Sequence, residues 1–333
     1  MSPSRPAGLA LAVLLALTPL LSMAQTQAPL PAPGRIETIP LGTRTLSGEE
    51  FLRGRRDAGR ESLIAGELRL PAGLRPDQKV PAMVLVHGSG GIGGSTDQWA
   101  RELNSVGVAA FILDSFAGRG ITSTVQDQTQ LHSLTMMVDA YRALDWLAEH
   151  PRIRADRIGI IGFSKGAVAA VYSAMTRFQT AYGTPGHRFA AHIGLYTPCN
   201  VSFEGDTALG PVPVRLFHGI ADDYVAIGPC RDYAARLKQA GADVTLVEYP
   251  DAHHSFDNPF GPPLLAVPAA QTTRNCRLAE GPDGATLNAE TRAPFAVATD
   301  ACVARGAHVG TNAAAATAVR AAVRDFAVAK LVN

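Results

Sequence analysis

Ile158-Gly159-Ile160-Ile161-Gly162-Phe163-Ser164-Lys165-Gly166-Ala167-Val168-Ala169-Ala170-Val171 changes character halfway along. Its first part is a short β-branched run of the kind buried on both faces of a parallel sheet. Its last part is apolar and helix-forming, and between them stands G-x-S-x-G. Two glycines around a serine allow a turn tight enough to lift the hydroxyl out of the backbone at the mouth of a sheet. The pentapeptide alone is a weak signal, and its strand–turn–helix setting is what gives it weight.

The flanking sequence repeats the same alternation. Apolar runs recur at Ala82–Val86, Val108–Leu113, Ala191–Leu195, Val212–Phe217 and Val244–Glu248. Helical segments are predicted over Asp97–Val106, Asp127–Glu149, Ser164–Met175, Pro229–Ala240 and Asn312–Lys330. In the second of these, Leu134, Met137, Val138, Tyr141, Leu144 and Leu147 recur at helical spacing. Strands alternating with helices predict an α/β fold, a mostly parallel central sheet with helices on both faces. Upstream, Ile36–Leu41 and Leu63–Leu70 alternate apolar and polar side chains, as half-buried antiparallel strands do. From about Asp257 to Gly310 no period is visible, and an irregular excursion is expected there.

A serine hydroxyl needs a base to take its proton and a carboxylate to orient that base. In an elbow arrangement the acid and then the histidine follow the serine in the chain. His218-Gly219-Ile220-Ala221-Asp222-Asp223 follows one predicted strand and Tyr249-Pro250-Asp251-Ala252-His253-His254 the next. Both segments therefore fall at the carboxyl edge of the sheet, where sites in such folds collect. Either Asp222 or Asp223, and either His254 or His253, satisfies the requirement. A metal held by these neighbours is disfavoured, because adjacent side chains rarely face one ion. The backbone N–H groups of Ser89, in His87-Gly88-Ser89-Gly90-Gly91, and of Lys165 are the candidate oxyanion donors. Lys165 is further expected to carry a surface charge, and Arg119 to be solvated or to meet a substrate carboxylate.

Gly88-Ser89-Gly90-Gly91-Ile92-Gly93 is also a formal dinucleotide fingerprint, with Asp114 as the ribose acid. That reading leaves Ser164, Asp222 and His254 without a role, and a strand pair precedes what should open the domain. An exported binding module that has kept the fold is the other alternative; it would be favoured by loss of Ser164, the acid or the histidine, and none is lost.

The 333 residues carry 30 Lys+Arg against 29 Asp+Glu and are 47% hydrophobic, which excludes a disordered chain and a bulk polyanion-binding surface. Nucleic acid is therefore not an expected partner. Residues 1–24 read as a signal peptide: Arg5, an apolar run from Leu9 to Leu21, and Ser22-Met23-Ala24 before the cut. The run is broken by Thr18-Pro19 and is too short for a membrane span. Residues 25–34 form a Pro/Ala-rich tether, and the ordered domain is expected over 35–333. Export to the periplasm or beyond turns four cysteines into disulfide candidates. Of the three pairings, Cys199 with Cys230 and Cys276 with Cys302 close short loops and are expected.

His87–Gly91, Asp114-Ser115-Phe116-Ala117-Gly118-Arg119-Gly120, Gly162–Gly166, His218–Asp222 and Tyr249–Phe256 together resemble the dienelactone hydrolase family of α/β-hydrolases, over roughly residues 60 to 256. The resemblance implies the α/β-hydrolase fold, Ser164 as nucleophile, Asp222 as the acid in preference to Asp223, and His254 as the base in preference to His253. It implies hydrolysis of a small-molecule carboxylic ester or lactone without cofactor or metal. Two departures stand out: the namesake enzymes use cysteine at the elbow, and the compact members lack the 257–310 segment. A peptidase of the same fold would use the same triad.

Overall fold

The structure is a computed structural model describing residues 1–2 and 34–333. The expected signal peptide and tether lie outside the described residues, apart from their outermost positions. The chain opens with β1 (Ile36–Thr45), α1 (Gly48–Leu52) and β2 (Arg60–Arg69), and β1 and β2 pair antiparallel along their length. Then come β3 (Val80–Val86), α2 (Gly94–Ser105), β4 (Ala109–Asp114), α3 (Ser133–Glu149) and β5 (Ile153–Phe163). They are followed by α4 (Lys165–Tyr172), α5 (Thr176–Tyr182), β6 (Ala191–Leu195), the short β7 (Val201–Ser202) and β8 (Val214–Gly219). Next are α6 (Gly228–Gln239) and β9 (Val244–Tyr249).

The central sheet has eight strands in the order β1-β2-β4-β3-β5-β6-β8-β9. From β4 to β9 every neighbour is parallel, and only β1 and β2 run against their partners. All of β3 is buried, and its side chains alternate between two cores. Val84 and Val86 belong to the core that includes α3 and α4, whereas Met83 and Leu85 belong to the one that includes α2 and the C-terminal helix. Both faces are thus covered, which is why this strand reads as a continuous apolar run.

Two expectations need correction. The helix expected from Asp127 begins at Ser133, because the His132 side chain caps it by accepting from the Leu134 N–H, and Gln128–Gln130 forms a separate 3-10 turn. The 257–310 segment is not irregular throughout. It contains β10 (Leu265–Thr272), β11 (Leu278–Glu280), β12 (Thr286–Asn288) and β13 (Ala304–Val309). β10 pairs with β13, and β11 pairs with β12 and, in parallel, with β7. Both expected disulfides, Cys199–Cys230 and Cys276–Cys302, are present. The chain then enters α7 (Ala313–Ala327). Among the described residues no helix is long and apolar enough to cross a membrane.

Candidate active site

Between the end of β5 and the start of α4, Ser164 is held at φ 52° and ψ −118°. A non-glycine residue pays for such a conformation, so the surroundings must impose it. The flanking glycines do so. A Cβ on Gly162 would lie 2.3 Å from the Gly166 carbonyl oxygen, and one on Gly166 would lie 2.3 Å from that of Val86. Only bare backbone fits at either position. The result is a half-buried Ser164 whose hydroxyl stands clear of the turn.

His254 Nε2 lies 2.9 Å from Ser164 Oγ, and its Nδ1 lies 2.8 Å from Asp222 Oδ2. Asp222 follows β8 and His254 follows β9, so the sheet edge brings together three residues far apart in the chain. The other carboxylate oxygen of Asp222 accepts from the N–H groups of Tyr224 and Val225, at 2.9 and 2.8 Å. Burial alone would raise the pKa of this carboxyl. The charge of His254 and the hydrogen bonds from His218 and His254 outweigh that effect and hold it well below the usual carboxylate range. An ionised Asp222 fixes Nδ1–H on His254 and leaves Nε2 free to accept the serine proton.

The competing side chains are turned elsewhere. Asp223 accepts from the backbone N–H and Nδ1 of His308, at 2.8 and 2.7 Å. His253 Nδ1 is buried without a partner among the described residues. Asp114 accepts from the N–H groups of Phe116 and Ala117 and so closes a turn, instead of waiting for a ribose. Arg119 is neither solvated nor near the cavity. Its guanidinium forms a buried ion pair with Asp139, and the two side chains are 1% and 0% exposed.

The glycine-rich turn after β3 packs directly on the elbow, a Cβ on Gly88 lying 3.4 Å from that of Ser164. His87 locks the turn by bonding the Gly88 carbonyl through Nδ1 and accepting from Ser115 N–H at Nε2. Burial lowers its pKa, in keeping with a neutral ring. Ser89 and Lys165 both border the cavity beside Ser164. The Lys165 N–H sits in the first turn of α4, where no carbonyl four residues back is available to it. The expected surface charge on this lysine is wrong: the residue is 7% exposed, and its ammonium donates to the Gln128 carbonyl and Oε1 at 3.2 and 2.9 Å.

The cavity holds about 470 Å³ and has a mainly apolar wall that includes Val168, Phe203 and Leu278. Gln271, Arg274, Phe295 and Val297 of the excursion also line it. Two further lining residues, Gln128 and Tyr224, carry no motif. Only the place of Tyr224 two residues after Asp222 could have drawn attention to it.

The sequence profile of the dienelactone hydrolase family matches residues 70–279. The chain is 24% identical over 229 residues to a probable 2-oxo-3-(5-oxofuran-2-ylidene)propanoate lactonase from a Bradyrhizobium species, covering 63% of this chain and 87% of that one. Its fold resembles that of a dienelactone hydrolase-like promiscuous phosphotriesterase from metagenomic libraries, with a TM-score of 0.56 at 15% identity, over 89% of this chain and 98% of the other. An esterase of Thermogutta terrifontis matches 59% of this chain and 79% of its own at a TM-score of 0.45 and 19% identity. With the fold and a profile match over most of the chain in agreement, the protein belongs to the dienelactone hydrolase family and is a hydrolase of esters or lactones.

Proposed function

We propose that this protein is an exported serine hydrolase that cleaves carboxylic esters or lactones through an acyl-enzyme on Ser164. The observation that carries the reading is the unbroken relay from Ser164 Oγ through His254 to Asp222, at 2.9 and 2.8 Å. In this mechanism Ser164 attacks the ester carbonyl while His254 Nε2 takes its proton. The N–H groups of Ser89 and Lys165 receive the developing oxyanion. His254 then delivers the proton to the departing alcohol, and Asp222 stabilises the imidazolium throughout. Water repeats the sequence on the acyl-enzyme and releases the acid. Export rests on the signal peptide reading and fits the two disulfides, which persist in oxidising compartments.

The test is active-site labelling with a fluorophosphonate followed by peptide mapping, alongside kinetics on a chromogenic short-chain ester. Label is expected on Ser164, and Ser164→Ala should lower kcat by about a million-fold with the fold intact. Label elsewhere, or turnover that survives the substitution, refutes the assignment.

A further inference from the structure

Among the described residues, five buried side-chain polar atoms find no hydrogen-bond partner: Ser115 Oγ, Arg142 Nε, Thr197 Oγ1, Tyr224 OH and His253 Nδ1. Of their residues only Tyr224 borders the catalytic cavity. Leaving a buried hydroxyl unsatisfied is costly, and each such group in a folded protein calls for an explanation.

Tyr224 is 8% exposed and held at several points. Its N–H donates to Asp222 Oδ1 at 2.9 Å, its carbonyl accepts from Thr272 Oγ1 at 2.5 Å, and its ring centroid lies 4.7 Å from that of His254. The hydroxyl is therefore carried on a fixed arm beside the reacting groups. The Gln128 side chain is engaged with other partners, its Nε2 donating to Ser89 Oγ at 3.1 Å. Gln128 Oε1 already receives Lys165 Nζ at 2.9 Å and Ser89 Oγ at 3.2 Å, with Thr124 Oγ1 at 3.4 Å. Burial raises the phenol pKa to about 12, against a lowering by the Gln128 side chain, which approaches the hydroxyl without meeting hydrogen-bond geometry; the hydroxyl keeps its proton and is free to donate. Two further polar side chains bordering the cavity are occupied. Gln271 bonds Gln128 N–H and the Val297 carbonyl, and Arg274 bonds the carbonyls of Asp223 and Gly306.

We infer that Tyr224 is a specificity-determining residue whose hydroxyl donates a hydrogen bond to a second oxygen of the substrate, a few bonds from the scissile carbonyl. The inference rests on Ser164-dependent ester hydrolysis in the same cavity. It assigns the enzyme to esters that carry a hydroxyl, keto or ether oxygen close to the ester group. A fixed donor in a mainly apolar pocket discriminates strongly, because a substrate lacking the acceptor leaves the donor unpaired.

Two matched pairs test this: methyl butanoate against methyl 3-hydroxybutanoate for the acid side, and propyl butanoate against 2-methoxyethyl butanoate for the alcohol side. In at least one pair the wild type should favour the oxygen-bearing ester by about tenfold or more in kcat/KM, and Tyr224→Phe should bring that ratio close to one. A ratio measured within one preparation does not depend on the fraction of folded enzyme. Absence of preference in both pairs, or a preference that survives Tyr224→Phe, overturns the inference. If hydrolysis still disappears in Ser164→Ala, the serine mechanism stands without it; hydrolysis that persists in Ser164→Ala removes both.

Discussion

The ammonium of Lys165 has only neutral acceptors around it, the carbonyl and Oε1 of Gln128. Desolvation brings its pKa down to about 7, with Asp127 pulling weakly the other way. The folded protein therefore releases this proton near pH 7, while the unfolded chain holds it to about pH 10.4. Between those values the unfolded chain binds more protons, so raising the pH stabilises the fold through this residue. Below pH 7 the full penalty of the buried charge is present. Lys165→Met removes the titration. From pH 7.5 to 9.5 the wild type should gain roughly 2 kcal/mol of unfolding free energy relative to that variant, as measured by urea unfolding at both values. A constant difference across the range would mean that the ammonium is not desolvated. Nothing in the residues around Lys165 in the chain announced this burial. It arises because the elbow turns the residue after Ser164 under a distant segment, Gln128, which carries no pattern of its own.

The elbow itself is a matter of element packing, since β3, β5 and α4 meet there with no room for a side chain. A Cβ at position 166 would meet the backbone oxygens of Val86 and His87 at 2.3 and 2.4 Å, and backbone cannot rotate away as a side chain can. Gly166→Ala should thus cost about 1–3 kcal/mol or more and displace Ser164. Gly42→Ala, in a strand position with nothing within 4 Å, is the matched control. Urea midpoints and fluorophosphonate labelling rates separate the two, and equal behaviour would show that the helix simply shifts. These elements were legible because their signals are local: a buried β-branched run, a Gly-x-Ser-x-Gly turn, a helical period in α3. The strands of the excursion were not. β11 and β12 are 3 residues each, Pro268 interrupts β10, and the partner of β11 outside the excursion, β7, lies far upstream. Pairing of that kind is set by tertiary contact, which no window of sequence contains. The preference for Asp222 over Asp223 rests on resemblance; in the structure the Asp223 carboxylate is engaged by His308 of β13, and that of Asp222 faces His254 Nδ1.

At the scale of the whole molecule, the excursion and the sheet edge form one device. The excursion supplies a wall of the cavity, and it also buttresses the proposed base, since Gly310 N–H donates to the His254 carbonyl at 2.9 Å. Its internal sheets are short, and the Cys276–Cys302 bond, spanning 26 residues of sequence, ties them together. In the chain-entropy account a loop of that size gains about 3.5 kcal/mol from closure. Cys276→Ser with Cys302→Ser should return that entropy locally, because the main sheet from β1 to β9 does not depend on the staple for its own pairing. Amide exchange followed by mass spectrometry should then quicken over Leu265–Val309 while β3 and β5 stay protected. Kinetically, an ester long enough to reach the excursion wall, such as a hexanoate, should lose affinity, with KM rising several-fold. An acetate, which stays near Ser164, should change less. Uniform loss of protection across β3 and β5 would instead make the staple part of the global folding unit. Unchanged exchange with unchanged KM for both esters would show that the two small sheets hold the wall without it.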